Sequence, residues 1–340
     1  MNYEMNTKRA TVMAVHRERY ELYADDETFY GRLKAANFYN TKEMVDFPTV
    51  GDEVRIIYNE NGDSQILELV PRKSVFMRLN STQGLPDQAV AANFDYVFIT
   101  MSLNRDFHIS KLERYLTVSW QSGATPVIIL TKADICDDRK FYLSQISRTA
   151  PGVDVYCVSS VTGEGFSELE TYFRKGKTAV LLGSSGVGKS SFVNALLGRT
   201  EMLTGGIREA DAQGRHTTTY KQCIFLPDEI HLPNGECISG GGRIIDTPGM
   251  RKLIVSDIED GKEKSFEDIV NLIACCKFSD CQHKTEPGCA VRAALESGEL
   301  NPKHWKNYLN LQREEAYAKE RKKVMERRME KLQRDMSRRR

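Results

Sequence analysis

No run of about 18 consecutive apolar residues occurs anywhere in the 340-residue chain, which excludes the simplest helical crossing of a bilayer. The opening segment MNYEMNTKRATV lacks the apolar centre of a secretory leader, so a cytoplasmic address with no membrane partner is the expectation. A disulfide framework is missing as well. Of the eight cysteines, Cys136, Cys157, Cys223 and Cys237 are scattered, whereas Cys275, Cys276, Cys281 and Cys289 crowd one short segment. That clustering argues for a metal in a reducing compartment. Excess charge of one sign is also absent, with a formal net charge of +1.

What is present describes a globular protein: 40% hydrophobic and 28% charged residues, at a length that suggests two or three domains. The near-neutral total hides an asymmetry. Residues 311–340 hold twelve Lys/Arg against six Asp/Glu, so a basic arm follows a mildly acidic body. Such an arm suits a polyanionic partner, although a solvated helix face is the plainer reading of a charge run.

The strongest signal is residues 183–191, GSSGVGKSS, behind the apolar run 178–182 (TAVLL) and ahead of 192–197 (FVNALL). This is G-x-x-x-x-G-K-[ST] between a predicted strand and a predicted helix. Gly183, Gly186 and Gly188 let the backbone N–H groups of Ser184, Ser185, Val187 and their neighbours approach phosphate oxygens at a helix N-terminus. Lys189 would reach the β- and γ-phosphates and the Ser190 hydroxyl would join Mg²⁺, with Ser191 also among the candidate nucleotide-binding residues.

Upstream, DYVFITMS (95–102) and PVIIL (126–130) read as buried strands separated by a helix over 109–121, which implies a parallel sheet covered on both faces. The second strand ends in Thr131-Lys132-Ala133-Asp134, and a third, 153–158, ends in Ser159-Ser160-Val161-Thr162-Gly163. Both turns fall at the carboxyl edge of the sheet, where open α/β folds bind ligands. Asp134 is suited to accept the N1–H and 2-amino hydrogens of guanine, which adenine does not offer; a buried carboxylate left unpaired by the wrong base would enforce the choice. Lys132 would lie along base and ribose, and the Ser159–Ser160 loop would meet the base carbonyl through a backbone N–H.

Downstream, residues 203–220 are rich in Gly and Thr and read as a mobile loop containing GRHTTT (214–219). One of Thr217, Thr218 and Thr219 would close on Mg²⁺ and the γ-phosphate, with Thr218 the leading candidate. A short strand at 242–245 then delivers Asp246-Thr247-Pro248-Gly249. Asp246 would hold Mg²⁺ through water, and the Gly249 N–H would reach the γ-phosphate.

The N-terminal 75 residues carry short alternating segments at 10–23, 29–35, 52–58 and 65–70, the last two joined by the turn-rich Asn59-Glu60-Asn61-Gly62-Asp63. They read as a small β-barrel, the oligonucleotide-binding (OB) barrel leading. Tyr20, Tyr23, Phe29 and Tyr30, interleaved with Arg17, Arg19 and Arg32, are candidate base-stacking residues, about half of them destined for the core by alternation alone.

TKAD, SSVTG, GSSGVGKS, the HTTT loop and DTPG are the five GTPase motifs in the order G4, G5, G1, G2, G3. The chain thereby resembles the RsgA/YjeQ family of circularly permuted GTPases that act on the small ribosomal subunit. The likeness implies three domains: an RNA-binding OB barrel at about 1–75, a permuted G domain at about 90–260, and a zinc-binding segment with basic helices at about 261–340. Two departures stand out. Thr131 replaces the usual Asn of G4, losing an amide that braces the P-loop, and Met250 follows DTPG where a Ras-like enzyme carries a water-positioning Gln. The resemblance implies that His216 takes that role, as a neutral imidazole can. It also implies partnership with the 30S subunit and its 16S rRNA, GTP turnover stimulated by that subunit, and action as a monomer.

Cys276-x4-Cys281-x-His283-x5-Cys289 offers three thiolates and an imidazole, a closed tetrahedral Zn²⁺ shell and therefore a structural site. Cys275 competes with Cys276 for the first position; spacing and the family pattern favour Cys276. Helices are expected over 291–297 and 302–312, with Trp305 and Tyr308 on a packing face. A basic tail helix follows, carrying a Val324, Met325, Met329, Leu332 and Met336 stripe. Two rival readings stay open: a nucleic-acid-binding module with a passive nucleotide site, and an ATP-dependent P-loop enzyme, which Asp134 disfavours.

Overall fold

The computed structural model describes residues 7–17, 19–34, 47–78, 87–104, 107–199, 222–246 and 259–337. Alternation builds the first unit. Strands β1 (Thr7–Val15), β2 (Tyr20–Ala24), β3 (Glu27–Leu33), β4 (Glu53–Ile57) and β5 (Ser64–Leu69) turn Val12, Leu22, Val54, Ile56 and Ile66 inward, each fully buried. Their order β1-β2-β3-β5-β4 closes through β4 onto β1, with β3 and β5 parallel. That is a five-stranded barrel of OB type. The single alternating segment expected at 10–23 is two strands, because β2 runs back antiparallel along β1, with the His16 N–H donating to the Arg19 carbonyl.

The expected stacking aromatics divide. Tyr30 is exposed, with the Arg19 guanidinium 3.8 Å from its ring centre. Tyr23 instead packs on Phe225 outside the barrel, ring centres 4.5 Å apart, and Phe29 packs edge-on against Tyr58. A hairpin that the sequence reading did not anticipate, β6 (Val75–Arg78) with β7 (Gln88–Ala92), leads out of the barrel.

The central sheet then forms from β8 (Tyr96–Ser102), helix α1 (Ile109–Gln121), β9 (Thr125–Thr131), α2 (Arg139–Thr149), β10 (Asp154–Cys157), β11 (Thr178–Leu182), α3 (Lys189–Leu197), β12 (Gln222–Phe225) and β15 (Arg243–Asp246); the small hairpin β13 (Glu229–His231) and β14 (Cys237–Ser239) lies between the last two. The order is β10-β9-β8-β11-β15-β12, parallel throughout except for β12. One pairing, Ala14 with Gln222, joins barrel and sheet. Strands β8, β9 and β10 step one way from the centre, β11 and β15 the other. The P-loop therefore starts at the point where the strand order reverses, the crevice in which open α/β sheets bind ligands.

Two cores cover the sheet. On one face Phe192, Val193 and Leu196 of α3 meet Phe98, Val127, Ile129, Leu181 and Ile244, with Phe166 and Phe173 beside them. On the other, Leu112 and Leu116 of α1 meet Ile99, Ile128, Val180 and Leu182. This second core continues without a break into the C-terminal helices α4 (Glu259–Ser265), α5 (Glu267–Ala274), α6 (Ala290–Ser297) and α7 (Pro302–Ser337). Each such fully buried Leu, Ile or Phe contributes roughly 1.5–3 kcal/mol. The helix expected at 302–312 and the tail helix are one 36-residue α7, since nothing between them breaks the helical pattern. Within it Tyr308 is buried and Val324 exposed; the side chains of Met325, Met329, Leu332 and Met336 lie outside the description.

Candidate nucleotide site and metal centre

The P-loop is shaped by its backbone. A side chain at Gly183 would place a Cβ 2.4 Å from the Thr100 carbonyl oxygen of β8, so the loop leaves the sheet through a gap that admits only glycine. Gly188 has φ +98 and stands as the N-cap of α3, which aims the helix N-terminus into the loop. The Lys189 ammonium donates to the carbonyls of Gly183 (2.8 Å) and Ser184 (2.7 Å), which holds it across the loop mouth. Val187 is buried while Ser185 and Gly186 are exposed. The Ser184 hydroxyl lies 3.3 Å from the Tyr115 hydroxyl of α1. Ser190 and Ser191 fall in the first turn of α3.

The TKAD turn is clasped to this loop. Thr131, buried at the end of β9, donates its hydroxyl to the Val187 carbonyl at 2.5 Å and lies 3.2 Å from the Met101 carbonyl. Lys132, in the left-handed region at φ 62, extends Nζ to the Gly186 carbonyl at 3.2 Å. The loss of P-loop bracing expected from Thr131 therefore does not occur: the hydroxyl replaces the missing amide. Ala133 is buried, its N–H donating to Val158. Asp134 sits on a 3₁₀ turn, Ala133–Ile135, and is exposed, not buried as the specificity argument assumed.

The third loop is ordered by Ser159, fully buried, whose Oγ accepts the N–H groups of Val161 and Thr162 at 3.2 Å. Its own N–H is committed to the Glu164 carbonyl, which leaves Ser160, half-buried, as the residue whose N–H faces no protein acceptor among the described residues. Glu164 also pairs with Arg139, which donates in turn to the Ala133 carbonyl at 2.8 Å and so ties this loop to the TKAD turn. The Arg139 hydrogen bonds hold the Glu164 carboxyl below its usual range. Asp246 ends β15, two strands from β8 on the P-loop side. His216, Thr217, Thr218, Thr219, Thr247, Gly249 and Met250 lie outside the described residues. A polar cleft of about 410 Å³ between barrel and sheet opens among Glu53, Asp95 and Arg243, and no residue of these three loops lines it.

The C-terminal cluster has the donors of a closed metal shell. Cys276 Sγ lies 3.6 Å from His283 Nδ1 and 4.0 Å from Cys289 Sγ, and Cys289 Sγ lies 3.4 Å from His283 Nδ1; Cys281 completes the set within 4.8 Å. A tetrahedral zinc ion spaces such donors about 3.3–3.8 Å apart, so the residues fit it. Cys275 is exposed and outside the cluster. Glu286 accepts backbone N–H groups from Gln282, Lys284 and Thr285, which knots the loop between the ligands; its own N–H first, and then these, lower its pKa to about 2. His283 meets Trp305 edge-on, and Trp305 stacks on Tyr308.

Sequence reasoning missed how this segment is anchored. Glu113 of α1, 2% exposed, pairs with His304 Nδ1 at 2.7 Å and accepts from Asn307; His304 Nε2 meets Asp268 at 3.2 Å. Burial disfavours the charged imidazole, but hydrogen bonds to Asp268 and Glu113 outweigh it and raise its pKa to about 9. Helix α1 thus touches the P-loop through Tyr115 and the C-terminal helices through Glu113. The only trace in the sequence was a Glu at an inward position of an amphipathic helix.

A P-loop at the switch point of a parallel sheet, clasped by a TKAD turn that precedes it in the chain, defines a circularly permuted P-loop GTPase. Known proteins agree. The RsgA GTPase family model matches residues 69–256. The small ribosomal subunit biogenesis GTPase RsgA 1 of Listeria monocytogenes is 48% identical over 306 residues, covering 90% of this chain and 83% of that protein. RsgA 2 of Vibrio parahaemolyticus is 42% identical over 312 residues, covering 92% and 80%. The crystal structure of YjeQ from Thermotoga maritima aligns with TM-score 0.62 at 25% identity, over 90% of this chain and 97% of that one. YloQ, described as a circularly permuted GTPase, shares the fold at TM-score 0.57 and 24% identity, over 91% and 96%. The chain belongs to the RsgA GTPase family.

Proposed function

We propose that this GTPase serves the late maturation of the small ribosomal subunit, hydrolysing GTP to GDP and phosphate in a cycle stimulated by the 30S particle. The observation that carries the nucleotide reading is the clasp between Thr131 and Val187, which sets the base-reading turn against the phosphate loop so that one nucleotide can touch both. In this reading Asp134 accepts the guanine N1–H and amino hydrogens, Lys132 flanks the base, and the Ser160 N–H meets the base carbonyl. The backbone of residues 183–191 and the Lys189 ammonium hold the phosphates, and the Gly249 N–H reaches the last of them.

Ser190, Thr218 and Asp246 would hold Mg²⁺, which when bound neutralises charge on the phosphates. His216 orients the water that attacks the γ-phosphorus as the bond to the β–γ bridging oxygen breaks. Cys276, Cys281, His283 and Cys289 would hold one structural Zn²⁺, which supplies folding energy and no chemistry. Rough division into barrel (1–75), G domain (90–260) and C-terminal segment (261–340) assigns the first and last to 16S rRNA contact, with the exposed Tyr30–Arg19 pair and the basic α7 as the groups suited to it. In this reading the protein acts in the cytoplasm as a monomer.

The test is phosphate release from GTP and from ATP, each with and without purified 30S subunits. Strong stimulation by 30S of GTP turnover alone is expected. Turnover that 30S leaves unchanged would remove the ribosomal half of the reading; equal use of ATP would remove the Asp134 half. His216→Ala should bind GTP normally and lose the stimulated rate.

A further inference from the structure

The hairpin β13–β14 carries a second set of metal donors, remote in sequence from the Cys/His cluster. Strand alternation places Ile230 and Ile238 inward, 0% and 6% exposed, in the core beneath α3, with Leu232 buried next to them. The same alternation turns Glu229, His231 and Cys237 outward, and all three are exposed. His231 pairs directly with Cys237 across the ladder, and Glu229 stands two residues away on the same face. One oxygen, one nitrogen and one sulfur donor lie within 4.8 Å of one another.

The hairpin is held at both ends. At the turn, the Gly235 N–H donates to Leu232, Leu232 to Glu236, and the Asn234 side chain accepts from Glu236. At the base, Gly240 and Gly241 donate to Asp228 and Pro227. The backbone is therefore fixed while the three side chains are free to rotate, and none of them has a side-chain hydrogen bond or ion pair among the described residues.

We propose that Glu229, His231 and Cys237 form a surface site for a borderline-soft divalent cation of the zinc class. Three protein donors of thiolate, imidazole and carboxylate type suit that class over Mg²⁺ or Ca²⁺, which take oxygen. The donor atoms already lie within 4.8 Å of one another, so reaching the roughly 3.3–3.8 Å spacing of a tetrahedral shell needs only rotation about exposed side-chain bonds. With three protein ligands the fourth position is open to water or to a donor from outside the chain. The Asn234 turn of the same hairpin abuts Gly163 of the base-side loop, where a Cβ would come 2.8 Å from the Asn234 nitrogen. An ion here would thus sit on an element that backs the nucleotide site.

The experiment uses the full-length protein as purified, without chelation, titrated with Co²⁺ in a thiol-free reductant. Thiolate-to-cobalt absorption and ions bound per chain after desalting are the readouts. One added Co²⁺ per chain with a single-thiolate band is expected. Cys237→Ser should abolish the band and His231→Ala should weaken the ion at least tenfold, both with unchanged melting temperature and unchanged zinc content. A band that survives Cys237→Ser, or no Co²⁺ retained by the parent protein, would overturn the proposal.

Discussion

The two faces of the central sheet are covered in different ways. The α3 face is closed largely by chain that lies close in sequence to the strands it covers: α3 itself and the aromatic residues Phe166 and Phe173 just ahead of β11. Its P-loop takes its shape from glycines and main-chain acceptors. The α1 face is finished by helices that arrive some 150 to 200 residues later, and charged side chains position them: Glu113 with His304 and Asn307, and Lys262 with Glu315 at 2.8 Å, Glu315 also taking Lys319. A glycine turn is robust because the backbone itself bears the shape. A buried charge network can be undone at one atom, and it titrates.

The largest effect that would sharpen this contrast is removal of metal from the C-terminal cluster. Structural zinc supplies roughly 10 kcal/mol or more of folding energy in small metal-bound units. Chelation, or Cys289→Ser, should therefore unfold the C-terminal helices while GTP binding by the α3 face persists; circular dichroism beside a fluorescent-nucleotide titration reads both.

Next comes Glu113→Ala, which takes the partner from His304 Nδ1 and from Asn307 and leaves Asp268 alone to balance the imidazole. Breaking one partner of a buried pair costs about 3–5 kcal/mol, to be read in urea unfolding. The same network gives a pH signature. His304 has its folded pKa raised to about 9 from 6.5, so its stabilisation is complete below about pH 6.5 and is lost as pH rises through 9. Stability should fall by up to about 3 kcal/mol between pH 6.5 and pH 10, less where solvent screens the pair, and His304→Gln should flatten that slope.

On the other face, Lys189→Ala should lower stimulated GTP turnover by about 100-fold or more, the scale of losing one preorganised charge donor, with the melting temperature unmoved. The smallest effect belongs to the clasp. Thr131→Val deletes one hydrogen bond to Val187, about 1 kcal/mol, and should weaken GTP binding roughly fivefold; Thr131→Asn should restore it.

Much of the nucleotide site was readable in the chain because its parts are contiguous. A P-loop is nine residues whose glycines announce their own geometry, and TKAD follows directly from an apolar run that can only be a buried strand. The barrel was readable for a similar reason, since period-two alternation in short segments leaves few alternatives. What escaped were features made by residues far apart. The Thr131 hydroxyl meeting Val187 joins positions 56 residues apart in sequence, and the Glu113–His304 pair joins positions 191 apart. The exposure of Asp134 was missed because strand-end burial depends on which loops fold over it. The β13–β14 hairpin went unread because three-residue strands are too short to display a period.

The sequence by itself determined the chemistry of the loops: which turns take glycine, which lysine and carboxylate flank them, and which four side chains can enclose a metal. Those are properties of residue type at short spacing, and local geometry suffices to realise them. Only the tertiary structure decided that β11 enters between β8 and β15, placing the later P-loop against the earlier TKAD turn, and that α1 carries the C-terminal helices on its far side. Strand order and docking are set by burying apolar faces against each other, a competition among distant segments that no short stretch of sequence records.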